Sequence, residues 1–152
     1  GDIGEFDNEN YLKITDRKKD IIVNAGGDNI SPSRIEAKLD IEPEIAQSML
    51  YGDFKNYLVA IIVPNKELAL EWAEQNNIEK NLTEIIKENS YNKKIREVVD
   101  KVNKNLSAIE QIRKFILIDH EFTIENNMMT PSMKVRRFKV KDKYKESLEN
   151  LY

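Results

Sequence analysis

A chain of 152 residues, 40% hydrophobic and 34% charged, can bury a core of about one domain beneath a well-solvated surface. It has no cysteine, which excludes disulfides, zinc-thiolate sites and a thiol nucleophile. A net charge of −3 argues against nucleic-acid binding, and the longest apolar run, Leu58 to Val63, is far too short to span a bilayer.

In chain order, Ile3-Gly4-Glu5-Phe6 and Tyr11-Leu12-Lys13-Ile14 read as a β-hairpin around the polar turn Asp7 to Asn10. The charged cluster Asp16 to Asp20 repels a core, so it reads as a surface connector and a domain boundary. Ile21-Ile22-Val23 reads as a short buried strand. The turn Asn24 to Asn29 follows, with Gly26-Gly27 admitting positive φ and close backbone approach. Ser31 suits an N-cap and Pro32 the first helical position of a helix burying Ile35 and Leu39. Residues 45–51 and 57–63 read as an antiparallel pair across the loop 52–56. Lys66 to Gln75 reads as a helix with Leu68, Ala69 and Trp72 inward. Helical periodicity continues over 82–109, broken near Asn89-Ser90. A third strand is expected over 112–118, loop and turn over 119–133, and a short helix over 141–151. The fold class is α+β: a small mixed β-sheet with packed helices, preceded by the hairpin.

The chemistry-bearing candidates are few. Lys134 lies between the turn Thr130-Pro131-Ser132 and a basic stretch, where Arg136, Arg137, Lys139, Lys141, Lys143 and Lys145 are interrupted only by the anion Asp142. The bland reading of that stretch is a solvated basic face. A lysine offered at a turn also suits delivery of a point charge to phosphate or carboxylate oxygens. Gly26-Gly27 is either a tight strand-to-helix turn or a place where a ligand approaches the backbone. It is not a P-loop, since no Gly-Lys-Ser/Thr follows. Arg17 could bind phosphate or ribose, or pair with Asp16 or Asp20. His120, the only histidine, reads as exposed and structural. The carboxylates lack metal-ligand spacing, so no metal site is expected. No Gly-x-Ser-x-Gly elbow is present.

Several of these segments, in this order, resemble the adenylate-forming superfamily, and its long-chain fatty acid CoA ligase branch most closely. Gly1-Asp2-Ile3-Gly4 resembles the end of that family's Thr-Gly-Asp-x-Gly stretch. Tyr11-Leu12-x-Ile14-Thr15-Asp16-Arg17-Lys18-Lys19-Asp20 resembles its hinge motif. Gly26-Gly27-x-Asn29-Ile30-Ser31-Pro32-x-x-Ile35-Glu36 resembles the segment after the hinge. Met129-Thr130-Pro131-Ser132-Met133-Lys134 resembles the catalytic-lysine motif. The resemblance covers nearly the whole chain, specific in the first forty residues and around Lys134, weak over 66–110. It implies the mobile C-terminal lid of an acyl-CoA synthetase. Residues 1–16 would end the large N-terminal domain, 17–20 would be the hinge, and 21–152 the lid.

The implied roles follow position by position. Asp2 would hold ribose hydroxyls of ATP and the adenylate, and Arg17 would contact the ribose and phosphate region. Lys19 would be the pivot of the hinge. Gly26 and Gly27 would face CoA, with Gly27 letting the pantetheine arm pass. Lys134 would contact carboxylate and α-phosphate. The substrates would be a fatty acid, ATP with Mg2+, and CoA, the partner the N-terminal domain of the same enzyme, and the setting cytoplasmic. Peripheral contact of residues 134–145 with anionic lipid is an alternative to a lid surface facing ATP. Two departures stand out. Many members place Gly before the lysine, where this chain has Met133. The five glycines, at 1, 4, 26, 27 and 52, include no phosphate loop, so the chain alone is expected to be inactive. The other readings are the lid of a ligase for a medium-chain or aryl acid, and a non-catalytic binding module that keeps the fold.

Overall fold

The computed structural model describes residues 21–152. The hairpin at 3–15 and the connector at 16–20 lie outside the described residues. The first described elements are β1 (Ile22–Val23) and β2 (Asn29–Ile30), a short antiparallel pair that closes the glycine turn. Ser31 takes the N-cap position and Pro32 opens α1 (Pro32–Asp40), which buries Ile35 and Leu39 as expected.

The sheet has three strands in the order β3 (Ile45–Tyr51), β4 (Leu58–Pro64), β5 (Ile112–Leu117). β3 and β4 are antiparallel, β4 and β5 parallel, so the sheet is mixed. Every residue of β4 is buried. Leu58, Ala60 and Ile62 enter one core cluster, Val59, Ile61 and Val63 a second. A strand covered on both faces needs no polar alternation, hence its unbroken apolar run.

The first face is covered by α1, α2 (Lys66–Gln75), the single turn α3 (Leu82–Ile85) and α4 (Asn89–Asn103). Asn65 caps α2 by accepting from the Leu68 N–H at 3.2 Å. In α2 the buried positions are Ala69 and Ala73. Trp72 packs on the core against Tyr91 at 5.0 Å, while Leu68 is only half-buried. The break between α3 and α4 falls at residues 86–88, close to the expected place. Asn103, at the end of α4, exchanges hydrogen bonds of 2.9 Å with both backbone groups of Ile112, which starts β5.

The second face carries Phe122, Met128 and two residues of α5 (Arg137–Glu149), Val140 and Leu148. This helix begins four residues before the expected Lys141 and stops before Leu151. The run of cations hid its first turn, which is set by two tertiary contacts: burial of Val140 and the inward turn of Arg137.

Candidate functional site

Lys134 sits on a tight hairpin. Met129 and Val135 bridge antiparallel, and the Arg136 N–H donates to the Met128 carbonyl at 2.7 Å. Inside them the Thr130 N–H donates to the Lys134 carbonyl at 2.8 Å, and the Met133 N–H to the Thr130 carbonyl at 2.8 Å. Thr130 Oγ1 also accepts from the Lys134 N–H at 3.1 Å and meets Ser132 Oγ at 2.9 Å. Pro131 supplies the fixed φ of the turn, and Met133 takes φ +66. That left-handed seat is the one Gly fills most cheaply, and here a methionine fills it. The Lys134 side chain is exposed and has no ion pair or hydrogen bond among the described residues. Met133 and Phe138, on either side of it in sequence, are 65% and 76% exposed.

The glycine turn is the second locus. The Asn24 side-chain oxygen accepts from the Asp28 N–H at 2.9 Å, and the Gly27 N–H donates to the Asn24 carbonyl at 3.0 Å. The turn is pinned to the β3–β4 loop, with the Ala25 N–H donating to the Lys55 carbonyl at 2.9 Å and the Phe54 N–H to the Val23 carbonyl at 2.7 Å. Gly27 has φ +84 and Gly26 does not, so only Gly27 uses the freedom the sequence offered. A Cβ at Gly27 would meet nothing within 4 Å, so the surface there is open. At Gly52, by contrast, a Cβ would lie 2.7 Å from Leu58 Cδ2, so that glycine serves packing.

A largely buried ion pair links α5, which follows the hairpin, to α1, which follows the glycine turn. The Arg137 guanidinium forks onto both oxygens of Glu36, one contact at 2.6 Å and the other, Nη2 to Oε1, tighter still. Glu36 Oε2 also accepts from the Leu50 N–H at 2.7 Å. Burial pushes the Glu36 carboxyl above its usual range, against the lowering pull of Arg137 and the Leu50 N–H. Sequence reading missed this pair. It had Glu36 inside a motif without a role and counted Arg137 among solvated cations.

The basic stretch is therefore not one exposed face. Arg137 turns inward, and Lys141 meets Asp53 at 3.5 Å. His120 is exposed, as expected, and hydrogen-bonded through both ring nitrogens. Its Nδ1 faces Asp119 at 2.8 Å and its Nε2 the Tyr144 hydroxyl at 2.7 Å. Hydrogen bonds from Thr83 and His120 hold the Asp119 carboxyl below the usual range. Among the described residues no group of His, Cys, Asp and Glu could hold a metal, and no helix is long and apolar enough to cross a membrane. Asp2, Arg17 and Lys19 lie outside the described residues.

A family model described as the C-terminal domain of AMP-binding enzymes matches residues 19–152. A long-chain-fatty-acid–CoA ligase of Mycobacterium tuberculosis is 34% identical over 154 residues, covering 100% of this chain and 26% of that protein. Long-chain-fatty-acid–CoA ligase 6 of Rattus norvegicus is 34% identical, covering 100% of this chain and 22% of its own length. Among solved structures, the adenylation domain of a carboxylate reductase from Mycobacterium chelonae superposes with a TM-score of 0.77 at 30% identity, covering 93% of this chain and 21% of that one. The A-PCP didomain of a carboxylic acid reductase from Segniliparus rugosus, solved with AMP, gives 0.72 at 29% identity, covering 100% and 20%. The chain thus spans about a quarter of the length of the curated relatives it matches.

Proposed function

The chain belongs to the C-terminal domains of AMP-binding enzymes, and from that premise we propose that it is the lid of a long-chain fatty acid CoA ligase. In this reading residues 21–152 are the lid, 17–20 the hinge with Lys19 as pivot, and 1–16 the edge of a large N-terminal domain. That larger domain holds most of ATP, its Mg2+ and the fatty acid.

The reaction has two halves. A carboxylate oxygen attacks the α-phosphorus of ATP, forming the acyl-adenylate as pyrophosphate leaves. The CoA sulfur, its proton lost, then attacks the adenylate carbonyl, and AMP leaves with the bonding pair. Both halves gather negative charge in a small volume. In the first, the lid brings the Lys134 ammonium to the carboxylate and the α-phosphate, where a positioned cation lowers the barrier. Asp2 holds the ribose hydroxyls and Arg17 the ribose and phosphate. In the second, the lid swings and offers the open surface at Gly26-Gly27, where the missing side chain leaves room for the pantetheine arm. Lids that change faces between steps are a common hinge device.

One observation carries this reading. An ammonium unpaired among the described residues stands beside a hairpin turn whose backbone is fixed by several hydrogen bonds, so its charge is held out at a defined place. The test uses the intact enzyme and Lys134→Ala. Pyrophosphate exchange should fall about 100-fold or more. Thioester formation from supplied acyl-adenylate and CoA should stay within about threefold of wild type. If exchange survives, Lys134 is not the adenylation lysine and the two-faced lid is wrong.

A further inference from the structure

Glu36 is the one charged residue among the buried described residues. A buried ion pair is weak evidence for stability, because well-packed apolar side chains of similar volume do as well or better. What the pair adds is geometry. A planar guanidinium forked onto a carboxylate fixes direction as well as distance.

The surroundings show what is being fixed. Arg137 is the first residue of α5 and follows directly on the hairpin that carries Lys134. Its partner Glu36 lies on α1, the helix that begins just after β2 and the glycine turn. Glu36 is itself held by the Leu50 N–H of β3. The hairpin's other approach is clamped to the same strand. The Gln47 side chain accepts from the Phe122 N–H at 2.7 Å and donates to the Phe122 carbonyl at 3.1 Å. The Lys134 turn is therefore strung between two polar clamps that meet at β3.

We propose that Arg137 and Glu36 are positioning residues for adenylation: their buried fork sets where the Lys134 turn stands relative to α1 and the glycine turn. The proposal rests on the reading of Lys134 given above. The pair does not touch the reacting atoms. It makes lid rotation deliver Lys134 to one place instead of a spread of places.

The test uses the intact enzyme with Arg137→Ala, Arg137→Lys, Lys134→Ala and the double variant Lys134→Ala/Arg137→Ala. Arg137→Ala should lower pyrophosphate exchange about 10- to 100-fold, the penalty of a misplaced catalytic group. Thioester formation from supplied acyl-adenylate should stay within about threefold, since the glycine turn is held by its own backbone bonds to Phe54 and Lys55, which the substitution leaves in place. Arg137→Lys, which keeps the charge but not the fork, should fall between wild type and Ala. The double variant should exchange no more than about threefold more slowly than Lys134→Ala alone, because two residues acting through one ammonium are not additive. Equal losses in both half-reactions, or multiplied losses in the double variant, would overturn the proposal and leave the pair a fold-stabilising contact. If Arg137→Ala does not fold, the same two half-reactions measured on Arg137→Lys decide, with an exchange-selective loss expected. If Lys134→Ala itself leaves exchange intact, the lysine reading fails and this proposal with it; failure at Arg137 alone overturns only the positioning role.

Discussion

Arg137→Ala in this chain should destabilise the fold by an amount that grows with pH. The substitution removes the guanidinium and leaves Glu36, a residue only 7% exposed, with the Leu50 N–H as its remaining strong donor. Breaking one side of a buried pair costs about 3–5 kcal/mol while the orphaned group stays charged. The carboxyl has an escape, which is to take up a proton. In the wild type burial already raises it, and Arg137 supplies the two largest opposing influences. Without Arg137 it must rise further. A carboxyl whose folded value lies above its unfolded value of about 4.3 contributes stability that is fully present below that value. The contribution is lost as pH rises through the folded value. The gap between wild type and variant should therefore be largest, about 3–5 kcal/mol, where Glu36 is charged in the variant, and should shrink as pH falls and the carboxyl takes up its proton. Urea unfolding of both proteins at three pH values measures it, and the subtraction removes every other titrating group. Glu36→Gln/Arg137→Met supplies the internal control. It keeps an acceptor for the Leu50 N–H, replaces the charge pair by near-isosteric groups, and should recover most of the loss with little pH dependence. A gap that is flat, or that narrows as pH rises, would show that Glu36 is not an unpaired buried carboxylate in the variant.

Met133→Gly should stabilise the chain by about 0.5–1 kcal/mol, the left-handed penalty of about 1–2 kcal/mol less the extra backbone entropy of glycine. Pyrophosphate exchange should stay within about twofold in the intact enzyme, and a loss of stability would mean that the exposed Met133 side chain packs on something after all. Gly52→Ala should cost about 1–3 kcal/mol by denaturant unfolding, because its Cβ would sit 2.7 Å from Leu58 Cδ2 and 3.3 Å from the Tyr57 carbonyl; a neutral outcome would show that the β3–β4 loop gives way easily.

What could be read from the residues alone was whatever is decided locally. Ser31-Pro32 announces a helix start because the fixed φ of Pro32 suits a first helical position, although the Ser31 side chain at the N-cap makes no capping hydrogen bond. Leu58 to Val63 announces a buried strand because only a strand covered on both faces tolerates six apolar residues in a row. The positive φ of Gly27 was legible because a glycine pair in a turn stands out by type, whereas Lys134 stands out through the resemblance of its motif. Arg137 could not, since its meaning is set by Glu36, which lies 101 residues away along the chain. In the sequence it is one cation among several, and counting charge assigns it to solvent. The same distance hid the true start of α5, whose first turn is held by that contact and by the burial of Val140. Met133 shows the converse. It departs from the glycine that many members carry there, yet the backbone at position 133 is where glycine's freedom would be used. The motif is a backbone shape before it is a string of letters. In this chain a left-handed methionine and the hydrogen bonds around Thr130 make that shape, and they set where Lys134 stands.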